Sequence, residues 1–440
     1  MNPALSRARP LPRHFALAAI VGLALGLRLW RLDRNGFGTE YYAAGVLSML
    51  ESWHNFLFNA FDPAGFVSVD KPPVALWIQA ASAKLLGFSG FSLLLPQVLE
   101  GVASILVLYH LVRRRFGEAA GLLAALFLAL TPISVAVDRT NNTDGCLVLV
   151  LLLAGWAMSL AVERGRLRWL IAALALVGVG FNVKMLAACV VLPGFAALYL
   201  YAAPIGLGRR IGHLAVAGII FAAIALSWCV AYDLVAPDGR PYVDSTAENS
   251  MLELAIGHNG AERFLPRIRR ARPTAAPADA AAQADQRRAA GALRQYYRVD
   301  NPPIGPLRLF DRHLAGQMLW LLPMALIGLA AALRQAGLRR PLRPEVVSLL
   351  LWLGWALTYG IVFSVAGGIF HSYYLVVMAP PLAALAAIGV TQVRLLAGQA
   401  AWLLPIALIL TAGWQAYIEL PYLGGWDWRL WLFAGSIGGT

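Results

Sequence analysis

Eleven apolar stretches of about 17 to 23 residues, each long enough to cross a bilayer's hydrocarbon as a helix, run through this chain. They lie near 15–31, 92–112, 118–136, 145–162, 168–182, 185–203, 212–234, 316–333, 346–366, 371–391 and 401–417. Repeated apolar runs of this length exclude a water-soluble core and predict an all-α polytopic membrane protein, because only helices satisfy their own backbone groups inside lipid. A twelfth span is expected from Trp428. The composition agrees: 59% of the 440 residues are hydrophobic and 13% are charged. We expect a single transmembrane domain over 1–440.

The basic residues fix an orientation. The formal charge of +13 would suit nucleic acid if it formed one patch, but Lys and Arg fall in short clusters between spans, so no nucleic-acid partner is expected. Six clusters occupy alternate linkers: the N-terminal arm, Arg113 to Arg115, Glu163 to Arg168, Arg209-Arg210, Arg334 to Arg343, and Arg394. A Lys/Arg excess marks the cytoplasmic side. The opposite side then receives a first outer loop over 32–91, the segment 137–144, the turn at 183–184, and a long outer loop over 235–315. Within that long loop, 264–300 is rich in Ala, Pro and charge and is expected to be partly flexible. The N-terminal arm and first apolar run resemble a signal peptide without a small-residue cleavage site, which predicts an uncleaved first span. Cys146, Cys189 and Cys229 lie in or beside apolar runs without metal-type spacing; they read as packing residues.

The chemically interesting residues gather on the outer side. In the first outer loop, Tyr42, Val46, Met49, Leu50 and Trp53 recur at helical spacing. A second helix is expected after Pro72-Pro73, with Val74, Trp77, Ile78, Ala81 and Leu85 on its apolar face. Two interfacial helices would present Glu40, followed by Tyr41 and Tyr42, and Asp70-Lys71 from their N-terminal ends, where the helix dipole favours an anion such as phosphate. The run Asp138-Arg139-Thr140-Asn141-Asn142-Thr143-Asp144 reads either as a turn capping the next helix or as part of a site. Lys184 lies between two apolar spans on the outer side, either snorkelling to water or countering a lipid-linked phosphate. His258-Asn259 sits between Gly257 and Gly260 in a tight turn. His371, Tyr373 and Tyr374 open a span; they are interfacial aromatics or groups that bind a sugar by hydrogen bonding and stacking. Polar groups from four non-adjacent segments in a charge-poor chain predict one polar cavity at the membrane surface.

The Asp70-Lys71-Pro72-Pro73 element, the acidic first outer loop, the Asp138 to Asp144 run and Phe370-His371-Ser372-Tyr373-Tyr374 together resemble the bacterial family-39-like membrane glycosyltransferases of the GT-C superfamily. Protein O-mannosyltransferases and the lipid A aminoarabinose transferase belong to the same superfamily, and the resemblance covers roughly 15–420. It implies a GT-C-type bundle of eleven or twelve spans in the bacterial cytoplasmic membrane, with its site on the outer face. It also implies transfer of a sugar from a polyprenyl-phosphate donor to a lipid, glycan or protein acceptor, with membrane lipids as surroundings. Glu40 is then the carboxylate base, with Asp144 or Asp138 as substitute. Lys71, and with it Lys184 or Arg139, would hold the donor phosphate, and Tyr41, Tyr42, Asp70, Asp138, His258, Asn259, His371, Tyr373 and Tyr374 would contact substrate. The resemblance fixes no cofactor; relatives of the aminoarabinose type can hold a divalent metal through such an acid and a distant histidine, and Asp70 with His258 or His371 would be the place for one here. The rival class is a lipid or sugar transporter, which predicts acids near mid-membrane in broken helices, whereas the acids here cluster at the outer boundary.

Overall fold

The structure, a computed structural model, describes residues 13–263, 302–337, 341–368, 370–396, 398 and 400–420. The expected flexible stretch at 264–300 and the span from Trp428 lie outside these residues.

All eleven apolar stretches fold as helix. Among the described residues six helices are long and apolar enough to span a membrane, or seven if one bent pair is a single span. The count falls below eleven for identifiable local reasons. Helix α1 (Arg13–Leu29) is short. The stretches 92–112 and 118–136 are carried by one helical segment, α5 (Gly90–Leu130), broken at Gly117 with φ 84°, and continue into α6 (Pro132–Val137). The break is a reversal. A Cβ on Gly121 would lie 2.6 Å from Cβ of Arg113 and 3.0 Å from the carbonyl of Tyr109, whereas a straight helix would hold positions 109 and 121 about 18 Å apart. Glycine is required at 117 because other residues resist that backbone region.

Next come α7 (Asp144–Arg164) and α8 (Leu167–Lys184), an antiparallel pair turned at Gly165. The expected span 185–203 is split into α9 (Leu186–Cys189), set off from α8 by Met185 at φ 46°, and α10 (Leu192–Ala202), where Pro193 sits in the first turn of a new helix. After α11 (Leu207–Asp233) and the short α12 (Met251–Ile256), the span at 316–333 is bent by 57° between α13 (Arg312–Met318) and α14 (Leu322–Ala336). Helices α15 (Pro344–Val365), α16 (Ala379–Leu395) and α17 (Leu403–Glu419) complete the bundle. Small residues set its closest approach: a Cβ on Gly328 of α14 would fall 1.9 Å from Cα of Gly389 in α16, so these helices meet backbone to backbone.

The first outer loop forms α2 (Glu40–Glu51), α3 (Trp53–Phe58) and α4 (Val74–Leu86). Ser52 ends the first expected helix and caps the next by accepting from the Asn55 amide at 3.0 Å. Of the stripe expected there, Tyr42, Val46 and Met49 are buried against the protein, but Trp53 is 79% exposed. Helix α4 carries its expected apolar stripe on its more exposed side. Its buried residues are Ala75, Leu76, Gln79, Ala80 and Ala83, while Ile78 is 40% and Leu85 84% exposed. In lipid the large apolar side chains have no reason to turn inward, and the small ones allow close packing.

Candidate active site

Short extended pairings fix the Asp70-Lys71 element. Residues 67 and 68 bridge to Tyr242 and Ala60 respectively, and the Val69 amide donates to the Asn59 carbonyl at 2.9 Å. Asn59, in the left-handed region with φ 54°, donates from its side chain to the Lys71 carbonyl at 2.7 Å. Tyr41 finishes the placement, accepting from the Asp70 amide at 2.9 Å and donating to Asp244 at 2.7 Å. Lys71 Nζ then lies 2.6 Å from Asp70 Oδ2. Burial pushes the Lys71 ammonium below its ordinary value, against the pull of Asp70.

A second ion pair closes the open end of the α7–α8 hairpin, opposite the turn at Gly165. Asp144 opens α7, Lys184 ends α8, and they meet at 2.5 Å, both buried. The Lys184 ammonium also sits over the rings of Tyr374 at 4.3 Å and Tyr373 at 4.9 Å. This contact draws the Ser372–Met378 turn into the site, and His371 stacks on Tyr373 with ring centroids 5.2 Å apart.

Tyr42 joins the two pairs. Its buried hydroxyl is held well above its ordinary pKa by burial first and then by the negative charges of Asp70 and Asp144, with Arg263 opposing, so it lies in the field of all three. The turn at 258–263 covers them. Asn259 donates to the Asp70 carbonyl at 3.1 Å and accepts from Arg263 at 2.7 Å, and Arg263 also donates to the Tyr374 hydroxyl. His258 Nε2 stands 3.7 Å from Asp70 Oδ2, and its Nδ1 3.4 Å from Glu262. Burial, and then Lys71, hold His258 below its usual pKa. Asp144, Lys184, Asn259, Arg263 and Tyr374 form the polar end of a cleft of about 640 Å³ that continues along apolar residues of α9 and α15.

The structure thus brings together Tyr41, Tyr42, Asp70, Lys71, Asp144, Lys184, His258, Asn259, Tyr373 and Tyr374, with His371 behind Tyr373. Glu40 begins α2 with an exposed side chain. Its neighbour Thr39 is tied by the backbone amide and carbonyl to the side chain of Asn141 at 2.6 and 3.1 Å. Asp138 and Arg139 are used elsewhere. Asp138 is buried against Arg28 of α1 at 2.8 Å, and Arg139 donates to the carbonyls of Leu27 and Arg28, closing the end of α1. The expected metal does not fit the residues present. Among the described residues no group of three His, Cys, Asp or Glu is placed to hold an ion, and the Asp70 oxygen nearest His258 is already on the Lys71 ammonium. Sequence reasoning left Arg263 and Asp244 without roles. The four-residue spacing of Asn259 and Arg263 was a usable signal, while nothing marked Asp244 among the other polar residues of its loop.

A helical membrane bundle whose ion-paired helix ends surround a polar pocket, with short helices from its first long loop beside it, has the GT-C architecture of membrane glycosyltransferases. The sequence profile of the dolichyl-phosphate-mannose-protein mannosyltransferase family matches residues 70–228, from Asp70 to Trp228. YycA of Bacillus subtilis (strain 168), a proposed mannosyltransferase by name, is 37% identical over 92% of this chain and 68% of its own length. The chain belongs to this family of membrane mannosyltransferase-like proteins. Among solved structures, ArnT from Cupriavidus metallidurans in the apo state superposes with a TM-score of 0.61 at 18% identity, covering 94% of this chain and 65% of ArnT. The same protein bound to undecaprenyl phosphate gives 0.56 at 17% identity, over 92% and 68%. This chain therefore spans about two thirds of the length of the proteins it matches.

Proposed function

We propose that this protein transfers a sugar from a polyprenyl-phosphate donor to an acceptor hydroxyl at the outer face of the cytoplasmic membrane. The observation that carries the reading is that Lys184 lies in the field of both Arg263 and Lys71, with Lys184 and Arg263 at the polar end of an apolar cleft. Buried cations at the end of an apolar groove suit a phosphate attached to a hydrocarbon chain, and undecaprenyl phosphate is the ligand named for the bound ArnT. The outer placement is supported by α7. Asp144 opens it, whereas Glu163 near its far end, roughly 30 Å away by helical rise, pairs with Arg114 and Arg115 of a basic cluster, the cytoplasmic mark.

In the reaction the acceptor oxygen attacks the anomeric carbon, the bond from that carbon to the phosphate oxygen breaks, and the electron pair leaves on the polyprenyl phosphate. Lys71, Lys184 and Arg263 stabilise the charge growing there. The acceptor proton goes to a carboxylate. Asp144 is committed to Lys184, so Glu40, exposed at the start of α2, takes that role while Asp144 positions Lys184. A single displacement inverts the anomeric centre, and product NMR showing retention would refute it. The test is incubation of the protein in lipid with a panel of polyprenyl-phosphate sugars. Glu40→Gln and Lys71→Ala should each lower turnover by about 100-fold or more; unchanged turnover in both removes the assignment.

A further inference from the structure

A second cleft opens on the other side of the α8 end, between the start of α4 and helices α8 and α11. Its empty volume is about 610 Å³, and Pro73, Trp77, Val179, Asn182, Ser227 and Trp228 line it. Two indoles are pinned at its wall, since Trp77 Nε1 donates to the Phe56 carbonyl at 2.6 Å and Trp228 Nε1 to the Leu57 carbonyl at 3.1 Å. Both carbonyls belong to α3, so one short helix fixes both rings.

The chemistry of this cleft differs from that of the first. No lysine or arginine lines it, so it offers nothing to a phosphate. Its buried Asn182 has its amide nitrogen committed to the carbonyls of Gly178 at 3.2 Å and Ile224 at 2.8 Å, which fixes the amide orientation. The oxygen Oδ1 is buried without a partner. A buried acceptor left unpaired is costly, and the ligand that would satisfy it must carry a donor. Phosphodiester oxygens and hydrocarbon have none; a hydroxyl does. The cleft is also flanked by lipid, because only 17% of the apolar window of α11 is buried, and its rim at Pro73 is two residues from Lys71.

We propose that this cleft is the lateral berth of the acceptor, and that the acceptor is an uncharged lipid with a free hydroxyl, of the diacylglycerol or glycosyl-diacylglycerol class. The inference rests on the transferase reading and gives its acceptor a class. Donor and acceptor enter on opposite sides of the α8 terminus, the anionic one on the side of Lys184 and the neutral one on the side of Asn182.

Photolabelling of the full chain in phosphatidylcholine vesicles tests this, using a photoactivatable diacylglycerol and a phosphatidylmethanol, a phosphodiester without a donor, with the same chains. The diacylglycerol should label residues 73–77 and 224–230 about tenfold more than the phosphatidylmethanol, the worth of one satisfied hydrogen bond. Filling the cleft with Ser227→Trp, or with Val179→Phe from the opposite wall should the first variant fold poorly, should remove the label. Equal labelling by both lipids would show a hydrocarbon groove only, and absence of label at both segments would show no berth; either overturns the proposal. Labelling needs no turnover, so Glu40→Gln should label as the wild type does. Persistent labelling with no transfer from any donor would sink the transferase reading and leave the berth standing.

Discussion

At the scale of single residues, the Asp144–Lys184 pair makes the sharpest demand. Both side chains are almost wholly withdrawn from solvent and meet at 2.5 Å, so removing one leaves the other charged and alone. Lys184→Met should cost about 3–5 kcal/mol of stability. The double variant Lys184→Met with Asp144→Leu should recover most of that loss, because an apolar pair carries no desolvation penalty, yet stay inactive. Thermal unfolding in detergent micelles reads the stability and sugar transfer the activity; a single variant as stable as the wild type would show that the pair is not needed for packing. The four charges Asp70, Lys71, Asp144 and Lys184 were legible in the sequence because ionised groups are rare at the ends of apolar segments and expensive there. Asp244 was not: its role depends on the Tyr41 hydroxyl, 203 positions away in the chain.

Elements explain how such distant residues come to act together. The start of α2, the extended stretch before α4 and the segment after α11 are linked in one relay, from the Asp70 amide to the Tyr41 hydroxyl to the Asp244 carboxylate. Tyr41→Phe removes both hydrogen bonds and orphans the Asp70 amide. Donor KM should rise about tenfold, the effect of losing one buried hydrogen bond, with a smaller change in kcat, since Lys71 is displaced rather than deleted. Donor titration at saturating acceptor measures the split, and a loss confined to kcat would place Tyr41 in the chemical step instead. The sequence located α2, α4 and the apolar stripe of α4 but not that this stripe is the exposed one, because a helical period reveals that two faces differ and not which solvent each meets. The break after α8 was legible as a turn at 183–184, but its place one residue on, at Met185, was not. Met185 is an ordinary apolar residue, and its left-handed backbone leaves no compositional trace.

The whole molecule has two ends of opposite character. One gathers Arg113, Arg114 and Arg115 with Glu118 and Glu163; the other holds the pocket. If the basic end is cytoplasmic, a cysteine at exposed Ala247 should react with a membrane-impermeant thiol reagent in intact cells. One at exposed Gly208, where an added Cβ meets nothing within 4 Å, should react only after permeabilisation; the reverse pattern would invert the topology and move the pocket to the cytoplasm. This level was the most legible in the sequence, since span positions and Lys/Arg bias follow directly from bilayer physics, whereas the turn at Gly117 and the bend between α13 and α14 depend on packing. Two helices show what the bundle asks of inheritance. The span Ser372–Leu395 is 89% buried within the chain and Leu207–Asp233 only 17%, although both are apolar. The first must keep the shape of nearly every side chain, while most of the second answers only to lipid, a solvent indifferent to shape. Among descendants of this gene, α11 is free to exchange Leu, Ile, Val and Phe at most positions, and α16 is held to its own residues.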